Sequence, residues 1–260
     1  DQQLQISSSL GSIAKDLLLY ENIAGIQIVN ESEFADPPKA QLNYYKAAIS
    51  LIRSADGQVP IVISDGWWPD QWVKLIDEIQ NKIGGSLGVV VDHHCYRCFD
   101  GKDKGKAPLK IIGDLDGDLL TNLLNDGKGV DFMVGEYSCV LDGDSWGRDG
   151  EDQKRDQLVV DYGKKQLQLF FKRATFGSFF WTFKFESGNG GEWDFKTMCD
   201  KGALEGFQGK DFHTLKKLDE ALGSNIDGHV NYWNEKTKGE KMDHSRYKQG
   251  FSTAWNDAQA

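Results

Sequence analysis

The chain has 260 residues, 39% of them hydrophobic, and a net charge of −10. That length suits one large domain or two small ones. The acidic balance argues against a phosphate-backbone partner such as nucleic acid. No run approaches the roughly 20 apolar residues of a membrane-spanning helix. Glycine is frequent (29) and proline scarce (5), so tight turns are expected rather than rigid linkers.

The chain begins without a charged segment leading into an apolar one, so a secretion signal is either not used or lies outside these residues. Leu4, Leu10, Ile13, Leu17 and Leu18 fall near helical spacing and predict a helix over 4–20. A first strand is expected over 23–29. After Pro37 and Pro38, the spacing of Leu42, Tyr45, Ile49 and Ile52 predicts a helix over 39–54. A second strand over 60–64, a helix over 69–82 and a third strand over 87–92 follow. Residues 114–126 carry a helical pattern, 132–135 a fourth strand, 151–174 a long helix and 178–184 a fifth strand. Beyond residue 205 the strand rhythm stops. Residues 211–222 read as helix, and a polar stretch holding Trp233 follows. A closing helix from about residue 241 carries Tyr247, Phe251 and Trp255 at i, i+4, i+8 spacing, expected to dock the tail on the domain. Two regions result: 1–205, and a helical extension over 206–260.

Short strands that are apolar on both faces and separated by helices predict parallel strands covered on both sides. An open doubly wound sheet and a (β/α)8 barrel both fit. No Gly-x-Gly-x-x-Gly follows any of the strands, which counts against a dinucleotide fold. The residues just past each strand favour the barrel: Asn30-Glu31, then Asp65 with Trp67 and Trp68, then His94 and Tyr96, then Glu136, then Trp181 with Glu186, Glu192 and Trp193. Barrel enzymes keep their active sites at those ends.

Two of these strands run directly into a glutamate, Glu31 and Glu136. A carboxylate at the end of a buried strand is costly unless it has a use. Two facing carboxyl groups are the equipment for breaking a glycosidic bond, one protonating the leaving oxygen and the other attacking the anomeric carbon or activating water. Around them, Asn30 suits a sugar 2-OH, Tyr96 suits the orientation of a carboxylate, and His94 suits a hydroxyl or the tuning of the acid. Trp181 offers a floor for a sugar ring. Trp67 and Trp68 suit a further subsite or a lid, and Asp65 reads as a turn residue. Cys95 and Cys98 form a Cys-x-x-Cys pair without a second pair at metal-ligand spacing, so free buried thiols are the expectation for them and for Cys139 and Cys199.

The ordered set Asn30-Glu31, Val89 to Tyr96, Gly135-Glu136-Tyr137-Ser138, Phe180 to Lys184 and Glu192-Trp193 resembles glycoside hydrolase family 5, in particular the fungal exo-β-1,3-glucanases. The resemblance runs from about residue 5 to residue 200. It implies a retaining hydrolase of β-glucan or β-glucosides with Glu31 as acid/base and Glu136 as nucleophile, and Asn30, His94, Tyr96 and Trp181 lining the sugar site. Trp67, Trp68 and Trp193, aromatic residues at strand ends, are further substrate-binding candidates. No cofactor or metal is implied. Ser32 stands where the family usually has proline, and Phe183 where it has a second tryptophan.

The resemblance also implies a (β/α)8 TIM barrel of which these residues supply strands 4–8 and a C-terminal helical extension. Five parallel strands cannot close a barrel. The first three are therefore expected from an N-terminal portion, as a separate or missing polypeptide. A single Asn-x-Ser/Thr site, Asn30-Glu31-Ser32, falls inside the expected pocket, and a cytoplasmic location is expected, with secretion or the cell wall as the alternative. A non-catalytic sugar-binding or scaffold relative and a transglycosylase are the competing functions.

Overall fold

The computed structural model describes residues 2–20, 22–84, 86–118, 130–148, 154–185, 188–204, 218–236 and 244–257. It divides into two compact units, 1–205 and 206–260. The first contains α1 (Gln2–Leu17), β1 (Ile26–Gln27), α2 (Lys39–Ala55), β2 (Ile61–Ser64), α3 (Pro69–Ile83), β3 (Val89–Arg97), α4 (Gly101–Lys104), α5 (Pro108–Asp118), β4 (Asp131–Leu141), α6 (Gly143–Trp146), α7 (Arg155–Arg173), β5 (Ser178–Phe180), a 3-10 turn (Gly191–Trp193) and α8 (Phe195–Asp200). In the second, α9 spans Leu218–Lys236 and α10 spans Ser245–Asp257.

The five strands form one sheet in chain order, and every neighbouring pair is parallel. The α/β architecture expected from the sequence is present, as the five-stranded part of a barrel-like sheet rather than a closed one. Pleat alternation explains the two-sided apolar strands. Ile61, Ile63, Val89, Val91, Phe132 and Val134 face the helices and join the main core with Trp72, Leu158, Tyr162 and Phe170. Val62, Val90 and Met133 point the other way and form a separate small cluster with Phe176.

The expected and observed elements differ mainly at their ends. β1 is two residues long because it pairs on one side alone, although Ile28 N still donates to Val62 O at 3.0 Å. β3 and β4 run well past their expected ends, because each has a partner on both flanks and their pairing continues to Arg97 and Leu141. β5 stops at Phe180: Trp181 N donates to Tyr137 O, and Thr182 N then turns to Trp193 O. α5 starts at Pro108, a helix-start signal that the apolar spacing of 114–126 concealed. Residues 119–129, 205–217 and 237–243 lie outside the described residues, so the rest of that expected helix and most of 211–222 do as well. The polar stretch holding Trp233 is part of α9. In α10, Tyr247 stacks on His229 of α9 with ring centroids 3.9 Å apart and lies 6.3 Å from Phe251, while the side chain of Trp255 is outside the described set. No described helix is long and apolar enough to cross a membrane.

Candidate active site

The residue order at the strand ends governs the site. After β1 the chain makes a left-handed step at Glu31, φ 44°, a conformation costly for a side-chain-bearing residue and typical of functional positions. The step is tied down from three sides. Ser32 N donates to Ser64 Oγ at 3.0 Å, Ser32 Oγ shares a hydrogen bond with Tyr45 Oη at 3.0 Å, and Gln41 Nε2 donates to Ser32 Oγ at 2.9 Å. A proline at position 32 has no N–H to give Ser64, so the serine has its own anchoring role here. The carboxyl group that results is 41% exposed at the mouth of the sheet.

On β3, pleat alternation puts Asp92 and His94 on one face. His93 turns to the other face, with its Nδ1 2.6 Å from Asp65 Oδ2 and its ring 6.4 Å from that of Phe132. The β3–β4 register carries one extra residue, because His93 pairs with Val134 and His94 with Glu136. Gly135 is therefore a bulge, and it re-aims the next side chain, Glu136, toward the mouth.

His94 links the two acids. Its Nδ1 lies 2.9 Å from Glu31 Oε1 and 3.6 Å from Glu136 Oε2, and its Nε2 lies 3.2 Å from Asp92 Oδ2. A carboxylate oxygen of Glu31, one of Glu136 and a ring nitrogen of His94 all fall within 4.8 Å of one another. Burial lowers the His94 pKa, but hydrogen bonds to Asp92 and Glu31 and the charges of Asp92 and Glu136 outweigh it and lift it to about 9. Tyr96 Oη donates to Glu136 Oε2 at 2.7 Å. Burial, then that hydrogen bond, pushes the phenol pKa far up, so it remains a donor.

Two hollows meet at Glu31. The first, about 590 Å³, is lined by Glu31, Tyr96, Phe99, Glu136, Trp181, Phe185 and Trp193. The second, about 1020 Å³, shares Glu31, Tyr96 and Phe99 and continues past Trp67, His93 and His94 to the Arg97–Asp103 ion pair. Trp181 and Trp193 stand edge to face at 5.3 Å, and Trp193 lies 5.7 Å from Tyr96. The 3-10 turn holding Trp193 is clamped by Arg155, whose Nε and Nη2 donate to Glu192 Oε1 and Oε2 at 2.8 and 2.7 Å and whose guanidinium lies over Trp146.

The structure thus brings together Glu31, Glu136, His94, Tyr96, Trp181, Trp193 and Trp67. It places Asn30 and Trp68 outside the described lining: Asn30 Oδ1 accepts from Gln27 Nε2 at 3.5 Å, and Trp68 lies beside Phe34 at 6.4 Å. Asp65 is a buried turn residue, its Oδ1 accepting from Trp67 N at 2.9 Å and holding Trp67 in a left-handed step. Phe99 and Phe185 escaped the sequence reading. Their signal was proximity, three residues after Tyr96 and four after Trp181. Cys95 and Cys98 are buried free thiols, and burial raises Cys98 to about 11, which keeps it protonated. Glu186 lies outside the described residues.

A Schizosaccharomyces pombe protein named glucan 1,3-beta-glucosidase 3 is 32% identical over 249 residues, 92% of this chain and 49% of that protein. An uncharacterized glycosyl hydrolase of Saccharomyces cerevisiae is 41% identical over 239 residues, 91% of this chain and 44% of that protein. Residues 215–260 match the family described as glucan 1,3-beta-glucosidase 3 C-terminal domain. The chain is thus similar to these two proteins over about nine-tenths of its length. The match over 215–260 extends the likeness beyond residue 200, where the site motifs stop. The chain spans about half the length of the curated relatives it matches. The family likeness read from the site motifs and the likeness over the whole chain agree.

Proposed function

We propose that this chain carries the catalytic machinery of a retaining glycoside hydrolase acting on β-glucosidic bonds, of the exo-β-1,3-glucanase or β-glucosidase type. One observation carries the proposal: Glu31 and Glu136 approach each other across His94, within 4.8 Å, at the edge of an aromatic-walled hollow. A double displacement needs carboxyl groups about 5–5.5 Å apart, whereas an inverting mechanism needs room for a water, about 6.5–9.5 Å.

Glu31 is the acid/base. Its proton goes to the glycosidic oxygen as that bond breaks. Glu136, held by the Tyr96 hydroxyl, attacks the anomeric carbon and forms a glycosyl ester. Water, deprotonated by Glu31, then cleaves the ester with overall retention. Trp181 and Trp193 provide the apolar faces against which a sugar ring stacks. Trp67 borders the adjoining hollow, where a further part of a glucan chain fits. No step in this chemistry needs a metal or cofactor.

The strands supplied here correspond to strands 4–8 of a (β/α)8 barrel. Among the described residues, β1 and β5 each have a parallel partner on one side alone, and unpaired strand edges favour further strands. A polypeptide portion outside these residues completes the barrel.

The test is hydrolysis of a β-1,3-glucan oligosaccharide with the anomer of the first product followed by NMR. The proposal expects the β-anomer first, and loss of nearly all turnover in Glu136→Gln with an unchanged circular dichroism spectrum. An α-anomer first, or full activity in Glu136→Gln, refutes it. Sugar binding without hydrolysis, surviving removal of both glutamates, would instead indicate a non-catalytic relative. Transfer of glucose to sugar in preference to water would indicate a transglycosylase.

A further inference from the structure

Asp92 lies one layer below the two glutamates and has no place in the chemistry above. It is 2% exposed and lines neither hollow. A carboxylate so buried is unfavourable unless it is paired and hydrogen-bonded. Asp92 meets that condition with three donors from three strands. Gln27 Nε2 of β1 donates to Oδ2 at 2.9 Å, Gly135 N of β4 donates to Oδ1 at 2.7 Å, and His94 Nε2 of β3 lies 3.2 Å from Oδ2.

We propose that Asp92 is the positioning residue of the site, orienting Glu31 through His94 and Glu136 through the Gly135 bulge. This rests on the two-glutamate reading. Two geometric facts lead to it.

The first concerns the ring. His94 has a carboxylate oxygen at each nitrogen, Asp92 at Nε2 and Glu31 at Nδ1, with Glu136 a further 3.6 Å contact at Nδ1. While Asp92 and Glu31 are both ionised, as in the site before it takes up substrate, they only accept hydrogen bonds, so the ring donates from both nitrogens and carries a positive charge; once Glu31 holds the proton it delivers, Nδ1 becomes the acceptor and Nε2–H stays on Asp92. The groups facing it are Asp92 on its own strand, Glu31 from the turn after β1, Glu136 from β4 and the neutral edge of Trp67 from the turn after β2. Asp92 is the buried member of that set. It fixes which nitrogen faces inward, and so aims Nδ1–H at the acid/base.

The second concerns the bulge. A Cβ on residue 135 would lie 2.2 Å from Asp92 Oδ1. The carboxylate therefore occupies the space that any larger residue would fill, and it takes the Gly135 N–H that the irregular register releases from the ladder. Without that acceptor the bulge loses its anchor, and the aim of Glu136, the next residue, loosens. One carboxylate thus sets both catalytic groups. A purely structural Asp92, tying three strands together, would give stability but would leave the charge of His94 and the turnover step unaltered.

The experiment uses the purified chain labelled with nitrogen-15 histidine, as wild type and as Asp92→Asn, with His94→Gln to assign the resonance. In the wild type both His94 nitrogens are expected to carry protons at neutral pH. In Asp92→Asn the ring is expected to lose one of them at neutral pH, its titration moving down by a tenfold or larger change in proton affinity. Where turnover is measurable, kcat is expected to fall about tenfold to a hundredfold, by analogy with the loss when partners that orient a metal-binding histidine are removed, with KM nearly constant. A neutral His94 in the wild type overturns the proposal without any variant. So does a folded Asp92→Asn with the wild-type titration and the wild-type kcat. If Asp92→Asn does not fold, Gly135→Ala pushes a methyl into the carboxylate from the neighbouring strand and is expected to shift the same titration; an unshifted titration overturns the proposal. A wild type that stays without hydrolytic activity when joined to the portion completing the barrel removes the two-glutamate reading alone, because the histidine spectrum still decides the role of Asp92.

Discussion

Replacing Tyr96 by phenylalanine removes one oxygen from the site and keeps its wall. The ring still packs against Phe99 and Trp193, 5.5 and 5.7 Å away between centroids. What disappears is the 2.7 Å hydrogen bond from the phenol to Glu136 Oε2. A hydrogen bond to a charged group contributes about 1.5–3 kcal/mol, and the half-buried position of Tyr96 favours the lower part of that range. At about 1.4 kcal/mol per factor of ten, kcat/KM falls about tenfold to a hundredfold. The loss belongs in kcat, because the bond orients the attacking carboxylate rather than holding substrate. The assay is steady-state hydrolysis of an aryl β-glucoside and of a β-1,3-glucan oligosaccharide, with thermal melts to exclude misfolding. A variant within twofold of wild type, or one whose loss lies wholly in KM, refutes the assigned role of Tyr96.

Further outcomes follow from the same contacts. The His94 imidazolium, lifted from 6.5 to about 9 in the folded protein, contributes about 3 kcal/mol. Because the folded value is raised, that contribution is complete below the unfolded value and disappears as pH rises through about 9. The urea midpoint should therefore fall between neutral and alkaline pH, and His94→Gln should flatten that fall; an equal slope in both proteins contradicts it. Glu192→Gln removes the charge that Arg155 grips and frees the turn bearing Trp193. With Arg155 42% exposed, solvent screening limits the stability loss to about 1 kcal/mol. KM for oligosaccharide should rise several-fold while kcat changes less, and an unchanged KM would separate the clamp from sugar binding.

Much of the fold was legible because the period of the apolar residues is a local signal. Ile61 to Ser64 and Val89 to Val91 read as buried strands because each face meets apolar neighbours. The strand ends were less legible. β3 and β4 extend to Arg97 and Leu141 because of cross-strand pairing, and a chain read alone carries no record of its partner. The site shows the same division. Glu31, His94, Tyr96, Glu136, Trp181 and Trp193 could be picked out because reactive or aromatic residues at strand ends are conspicuous. Asn30 and Trp68 looked equally suitable, and neither is among the residues lining the two hollows that meet at Glu31. Asp92 stood in plain sight between three valines and two histidines, yet its role depends on a bulge in the next strand. The spacing from Asp92 to Gly135 says nothing of that until the register is known.

The most direct measurement is covalent trapping. A 2-deoxy-2-fluoro-β-glucosyl fluoride slows hydrolysis of the glycosyl ester more than its formation. Peptide mass mapping after exposure should then find a single added sugar on the peptide containing Glu136, and none on Glu136→Gln. A sugar found on Glu31 or elsewhere, or turnover of natural substrate with no trapped ester, would contradict the assignment of the two glutamates.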